Sequence, residues 1–303
     1  MKAASYHRYG DSDVLQYGDI ERPTPGAGQV LVKVAGTSFN PVDAGIRGGY
    51  LSEVFPITFP HIPGIDVAGT IVELGDGVTG WHVGHAVVGL LPMAARGAAA
   101  EYVVAPAEVL AAAGKSLPLA DFAALPTVGL TAWQALFEIA ELSAGQTILI
   151  NGAGGAVGGY AVQLAKHAGA VVTATAKATA AERLRGYGAD HLIDYLDYAA
   201  TPVLDSEPFD VVLNLVSTTP DETDVLGGLM ADGGRYVGTM TSGPGQRVFV
   251  RSDAVQLAGL VEQVDTGQLR IDIADRRPLA DIAAVHADAD AGRLPGKTIL
   301  TVG

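Results

Sequence analysis

A chain of 303 residues has room for two domains of ordinary size, and 49% of it is hydrophobic, enough to build a core in each. The formal charge of −14 and a pI near 4.7 disfavour nucleic acid and anionic membrane as partners, because both need a basic footprint. Cysteine is absent, which excludes disulfides and thiolate metal sites; no stretch has the apolar length of a membrane span, and Met1 to Tyr9 lacks the apolar core of a signal peptide, so a cytoplasmic protein is expected.

Residues 1–121 are rich in glycine, proline and short β-branched runs. Val30–Val34, Val67–Leu74 and His85–Gly89 read as strands, with a turn at Gly75-Asp-Gly77. Many short strands separated by turn signals predict a compact β-rich domain. Ala94–Ala100 and Val109–Gly114 are alanine-rich, a compositional bias to which no function is attached.

From about Phe122 strands alternate with helices, the pattern of a Rossmann-type doubly wound parallel sheet over 122–266. The expected strands are Thr147–Ile150, Val171–Thr175, His191–Ile193, Val211–Val216, Arg235–Thr239 and Val248–Arg251. Helices are expected at Ala180–Gly186, Asp221–Met230 and Ala254–Val264. The tail, 267–303, offers a short strand, a helix near Leu279–Ala291 and a strand at Thr298–Val302.

One stretch carries chemistry: Gln146-Thr-Ile-Leu-Ile-Asn-Gly-Ala-Gly-Gly-Ala-Val-Gly158. An apolar strand enters a glycine turn, and helical spacing begins at Val157. N–H groups at such a turn, with the helix dipole, suit a pyrophosphate. The frame G-x-G-x-x-G fails from Gly152 but reads as Ala153-x-Gly155-x-x-Gly158. Alanine can serve at the first turn position; Gly155 lets the pyrophosphate approach, and Gly158 lets the helix pack on the strand. The alternative is a glycine-rich turn in some other α/β protein.

The second strand of the sheet ends without a carboxylate. In NAD enzymes an acidic residue there binds the ribose hydroxyls, but here Thr175 is followed by Ala176 and Lys177, with no acid before Glu182. Thr175 and Lys177 would welcome a 2′-phosphate, so NADPH is expected over NADH. The alternative for Lys177 is a solvated lysine at a helix start.

Leu125-Pro-Thr-Val-Gly-Leu-Thr-Ala-Trp133 together with Ala144 to Gly158 resembles the medium-chain dehydrogenase/reductase superfamily. Asn40-Pro-Val-Asp43, Pro63-Gly-Ile-Asp-Val-Ala-Gly69, Glu101-Tyr-Val-Val-Ala-Pro106, Gly188-Ala-Asp190, Ile193-Asp-Tyr195 and Gly296-Lys-Thr-Ile-Leu300 are similar, in order, to its zinc-free quinone oxidoreductase branch. The resemblance implies a chaperonin-10-like catalytic domain at 1–121 to which the tail 267–303 returns. It implies that Lys177 and Tyr195 flank the adenosine phosphate and that Asn40 and Thr127 lie near the nicotinamide or its phosphates. Backbone N–H groups of Ala156 and Val157 would face the pyrophosphate. Val216, Ser217, Gly238 and Thr239 would stand at strand ends where ligands bind. It further implies a homodimer paired through an edge strand, with Val248–Arg251 as the candidate.

Zinc enzymes of the superfamily use a Gly-His-Glu motif where this chain has Gly64-Ile65-Asp66, and isoleucine ligates nothing. No metal is therefore expected, which favours acceptors that take hydride readily: quinones, or alkenes conjugated to a carbonyl. His82 and His85 read as surface histidines, and His61 as a loop residue. Tyr50 is the candidate proton donor, one residue out of register with a tyrosine of some related enoyl reductases, the alternative being a cleft wall or surface aromatic; Gly45 stands where many quinone reductases carry a tyrosine. The expected function is an NADPH-dependent, zinc-independent reductase of small-molecule quinones or α,β-unsaturated carbonyls. The alternatives are an enoyl thioester reductase of a biosynthetic pathway and a non-enzymatic NADPH-binding sensor or structural protein.

Overall fold

The computed structural model describes residues 1–194, 196, 198–199, 208–239 and 245–303. Two compact units divide the chain, one made of Met1–Thr127 with Ser252–Gly303, the other of Val128–Arg251.

The first unit is β-rich. Strand Gln29–Ser38 pairs antiparallel with Asp66–Leu74, Tyr102–Pro106 and Thr298–Thr301. Ala86–Leu90 and Leu110–Ala112 extend one side of the sheet, and Asp275–Pro278 closes the other by pairing parallel to Thr298–Thr301. Alternation along the strands buries Val30, Val32, Val67, Ile71, Val87 and Leu110 in one core. The alanine-rich run has a packing role: Ala98, Ala99 and Ala100 are fully buried, and Ala99 accepts from Ala4 N against the first strand, Lys2–Ser5.

Helix Ala254–Asp265, expected in the nucleotide domain, belongs to this first unit. Its last residue, Asp265, accepts from Lys115 N and Ser116 N at 2.9 and 3.0 Å, and Ser252 Oγ donates to Leu90 O at 2.7 Å. Those bonds tie the chain back at Ser252 rather than at 267. Residues 122–127, also expected in the nucleotide domain, lie in the first unit too.

The second unit is a six-stranded parallel sheet with the order His191–Ile193, Val171–Thr175, Thr147–Asn151, Phe209–Asn214, Met230–Gly238, Gln246–Arg247. In chain order that is 3-2-1-4-5-6, the doubly wound arrangement whose switch point lies at the first strand. Leu149, Phe209, Val212, Leu226 and Tyr236 form a core against it.

The expected strand Val248–Arg251 is corrected: the ladder is Gln246–Arg247, and residues 248–250 are irregular. The backbone groups of Arg251 are spent elsewhere. Its N–H donates to Gln134 Oε1 and its carbonyl accepts from Gln134 Nε2. The fourth strand also ends early, at Asn214, because Asn214 Oδ1 takes the N–H of Val216. Among the described residues the structure adds elements with no counterpart in the sequence pattern, among them helix Pro41–Arg47 and the helix Pro126–Trp133 with its π-helical continuation Gln134–Ile139.

Candidate functional site

In the nucleotide unit, strand Thr147–Asn151 runs into the glycine turn and then into helix Ala156–His167. Gly152 has φ +84°, a left-handed conformation that favours glycine. A Cβ at Gly158 would lie 2.4 Å from Ala153 Cα, so glycine there is demanded by the fold. At Gly155 a Cβ would meet nothing nearer than Gly152 O at 3.5 Å, and φ is −78°. The protein's own packing therefore does not explain Gly155. Gly155 is itself the N-cap of that helix, a position glycine suits, and it leaves space beside the N–H groups of Ala156 and Val157, which lack intrahelical acceptors.

Thr175 is 3% exposed, and its hydroxyl accepts from Gly152 N at 2.9 Å and donates to Asn151 Oδ1 at 2.7 Å. It props up the turn from beneath, and its hydroxyl is already committed there rather than offered to a phosphate. The carbonyl of Thr175 also accepts from Ala153 N at 2.9 Å. Asn151 continues to Asn214 Oδ1 and Tyr198 Oη, both at 3.0 Å. Asn214, fully buried, accepts the N–H of Thr239 at its carbonyl. Strand ends that the sequence suggested separately are thus laced together by two asparagines it did not single out. Polar residues ending apolar strands were the available signal.

Val216 lies against the turn, 2.5 Å from where a Cβ of Gly152 would stand, and Ser217 beside it is exposed. Gly238 is buried and Thr239 half-buried at the end of the fifth strand. Lys177 is exposed and begins the turn Ala178–Ala180. Arg183, not anticipated, donates from Nη2 to Gly154 O at 2.7 Å and so fixes the outer side of the turn. Tyr195 lies outside the described residues.

In the first unit the expected motifs converge on one carboxylate. Asp66, fully buried, accepts from Ser38 Oγ at 2.5 Å, Asn40 Nδ2 at 2.9 Å, Thr127 N at 2.8 Å, Thr127 Oγ1 at 2.7 Å and Lys297 Nζ at 3.2 Å. Lys297 also donates to Asn40 Oδ1 at 2.7 Å. Asn40 and Thr127 are expected near the nicotinamide or its phosphates, and the side-chain amide of the one and the hydroxyl of the other are turned towards Asp66. Asn40 N donates to Asp43 Oδ2 and Gly64 N to Asp43 Oδ1, at 2.9 and 3.1 Å. Burial, with the nearby Asp66 charge, pushes the Asp43 carboxyl up to about 6.

Arg47, 3% exposed, donates to Gly10 O, pairs with Asp290 at 2.7 Å and approaches His286 Nδ1 at 2.8 Å. Beside it Tyr50 is 85% exposed and lines an open groove of about 650 Å³ with Asp11, Ser12, Arg47 and Asp290. A separate cavity of about 10 Å³ is lined by Tyr6, Asp43, His61, Pro63, Ile65 and Met93 among others. The structure does not bring Tyr50 to that cavity. His61, expected in a loop role, is 4% exposed and bridges Tyr6 through the backbone. His82 and His85 are exposed, their rings 5.1 Å apart, and among the described residues no group of three His, Asp or Glu is placed to hold a metal ion.

Burial lowers His61 from 6.5 to about 4, and lowers His286 from 6.5 to about 3. The unfolded chain takes up these protons first, so both contribute stability present above pH 6.5 and lost as pH falls through the folded values. Asp43 acts oppositely as pH rises from 3.8 to about 6. His286→Gln keeps an acceptor for Arg47 and is expected to flatten the fall in stability below pH 6.5. Urea midpoints measured from pH 4 to pH 7 check this; an unchanged slope would show that His286 is not buried neutral.

A doubly wound sheet with a glycine turn, joined to a β-rich unit through which the chain passes twice, defines a two-domain oxidoreductase of the dehydrogenase type. Residues 26–115 match the family described as "Alcohol dehydrogenase GroES-like domain", and residues 187–300 match "Zinc-binding dehydrogenase". The chain is 33% identical to the "Chloroplast envelope quinone oxidoreductase homolog" of Arabidopsis thaliana, over 99% of this chain and 98% of that one. It is also 33% identical to the "NADPH-dependent alkenal/one oxidoreductase, chloroplastic" of the same plant, over 99% and 79% of the two chains. The solved quinone oxidoreductase from Coxiella burnetii superposes with a TM-score of 0.91 at 29% identity, covering 100% of this chain and 99% of that one. The chain belongs to the medium-chain dehydrogenase/reductase superfamily, in its quinone oxidoreductase branch.

Proposed function

We propose that the protein is an NADPH-dependent reductase of quinones and α,β-unsaturated carbonyls that works without zinc. The observation that carries this reading is the glycine turn: open space at Gly155 over an uncapped helix N-terminus, with no carboxylate ending the second strand and Lys177 exposed two residues after its last residue, Thr175. The printed names of the relatives support the acceptor class, one of them naming NADPH. Bound there, NADPH supplies the hydride. The turn holds the pyrophosphate through N–H groups of Ala156 and Val157, and Lys177 meets the 2′-phosphate. Isoleucine at position 65 and the lack of cysteine fit poorly with a catalytic zinc. The same reading takes the protein as a cytoplasmic homodimer paired at the edge strand Gln246–Arg247.

The test is NADPH and NADH oxidation side by side with one quinone, one enone and one enoyl thioester. Turnover of quinone or enone with NADPH is expected. Tight nucleotide binding without turnover would point to a sensor, and turnover of the thioester alone to a biosynthetic enoyl reductase. Lys177→Ala is expected to cost NADPH about 1.5–3 kcal/mol, more than tenfold in affinity, and to leave NADH unchanged. Equal losses for the two cofactors would remove Lys177 from the phosphate site.

A further inference from the structure

The cavity lined by Tyr6, Asp43 and His61 is narrow and partly open. Tyr6, Asp43, Ile46, His61, Ile62 and Ile65 are all under 5% exposed, whereas Met93 and Ala95 are partly open and form its mouth. Its volume of about 10 Å³ admits one oxygen-sized atom. Most of its walls are apolar: Ile46, Ile62, Pro63, Ile65 and Met93.

The polar groups on those walls differ in what they have left to give. Asp43 is committed on both oxygens, to Asn40 N and Gly64 N. His61 exchanges backbone hydrogen bonds with Tyr6, and burial keeps its ring neutral. The Tyr6 hydroxyl has no hydrogen-bond partner among the described residues, although Tyr6 is fully buried. Packing does not explain that oxygen. The ring meets Phe59 edge-on at 6.0 Å and His61 at 5.4 Å, contacts a phenylalanine would make equally well. A buried hydroxyl left unpaired lowers stability, and an acceptor atom seated in this cavity would relieve that cost. Burial, with the Asp43 charge, pushes the phenol well above its usual range, which keeps it a donor.

We propose that the Tyr6 hydroxyl is the hydrogen-bond donor to the carbonyl oxygen of the electron acceptor, and that this cavity is the slot for that oxygen. The assignment rests on the reductase reading given above. The Tyr6 O–H donor on a lining that is otherwise largely apolar, with the neutral His61 ring and the committed Asp43 carboxylate beside it, suits a carbonyl carried on an apolar skeleton, as in a quinone or an enone. When hydride adds to the β-carbon, the π-electron pair moves towards the carbonyl and negative charge gathers on its oxygen. The Tyr6 O–H stabilises that charge without giving up its proton, and solvent water supplies the proton that completes the saturated ketone. In a quinone the same donor faces the oxygen that becomes the hydroquinone hydroxyl.

Tyr6→Phe keeps the ring contacts and removes the donor. Expected results are unchanged or slightly raised thermal stability, unchanged NADPH affinity by fluorescence, and a fall of about 10²-fold in kcat for benzoquinone and but-3-en-2-one. A second readout needs no turnover: calorimetric binding of cyclohexanone to the protein without nucleotide is expected to weaken at least about tenfold in Tyr6→Phe. Ala95→Met, which fills the mouth and leaves Tyr6 in place, is expected to produce the same two losses and covers the case in which Tyr6→Phe fails to fold. Wild-type protein that binds cyclohexanone in a Tyr6-dependent way but reduces no acceptor would sink the reductase reading and leave the slot standing. Kinetics and cyclohexanone affinity both within about twofold of wild type in Tyr6→Phe would overturn the slot, as would a wild type showing neither binding nor turnover.

Discussion

Lys297→Met is expected to destabilise the protein by about 3–5 kcal/mol. The ammonium and the Asp66 carboxylate are both almost fully buried and 3.2 Å apart. Methionine fills the space of the aliphatic stem but leaves a buried anion with neutral donors only, from Ser38, Asn40 and Thr127. Those donors soften the loss; they do not supply a countercharge. A neutral carboxamide at the same place needs none, so adding Asp66→Asn to Lys297→Met is expected to recover part of the stability. Denaturant midpoints for the two single variants and the double variant measure the coupling. A Lys297→Met midpoint equal to wild type would show that the pair contributes nothing to the fold.

Gly155→Ala and Gly158→Ala add the same methyl group three residues apart, and opposite consequences are expected. At Gly158 the methyl would run into the Ala153 backbone, with contacts of 2.4 Å to Cα and 2.5 Å to the carbonyl oxygen. Helix and turn must move apart, at a cost of about 1–3 kcal/mol, and nucleotide affinity falls as a by-product. At Gly155 the backbone suits alanine and the nearest protein atom is 3.5 Å away. Stability should drop by no more than about 1 kcal/mol, the price of a poorer N-cap. NADPH affinity, in contrast, is expected to fall by at least about tenfold, because the methyl occupies the pyrophosphate's approach. Melting temperature and fluorescence titration on both variants separate the cases. Undiminished NADPH affinity in Gly155→Ala would place the pyrophosphate elsewhere.

The glycine turn could be read from the sequence because the strand, the glycines and the helix start that define it lie within one short segment, although Thr175 and Arg183 brace it from farther along the chain. A strand, a tight turn and a helix announce themselves by local spacing. The network around Asp66 could not be read in the same way. Its members were visible as separate motifs, but the bond from Lys297 to Asn40 spans 257 residues, and no local pattern reports such a pairing. A faint signal existed: Asp66 and Lys297 each sit at the head of an apolar strand that the fold buries, where a lone charge is costly and an opposite one is to be sought. Thr175 shows a different limit. Its position at the strand end was legible, but whether its hydroxyl faces out or props the turn depends on the rotamer, which spacing does not encode. Val248, Phe249 and Val250 have the local pattern of a strand, while the acceptor and donor that claim Arg251 come from Gln134, far back in the chain, so local pattern puts the final strand too late.

The order in which the ribosome delivers these residues matters. Unit Val128–Arg251 is continuous and can close as soon as it emerges, whereas the β-rich unit must wait for Ser252–Gly303. Strand Thr298–Thr301 slots between Gln29–Ser38 and Asp275–Pro278, and Lys297 reaches Asp66 only then. Nascent chains halted before Lys297 would carry a stranded anion and an unzipped sheet, marking them for quality control by chaperones and proteases.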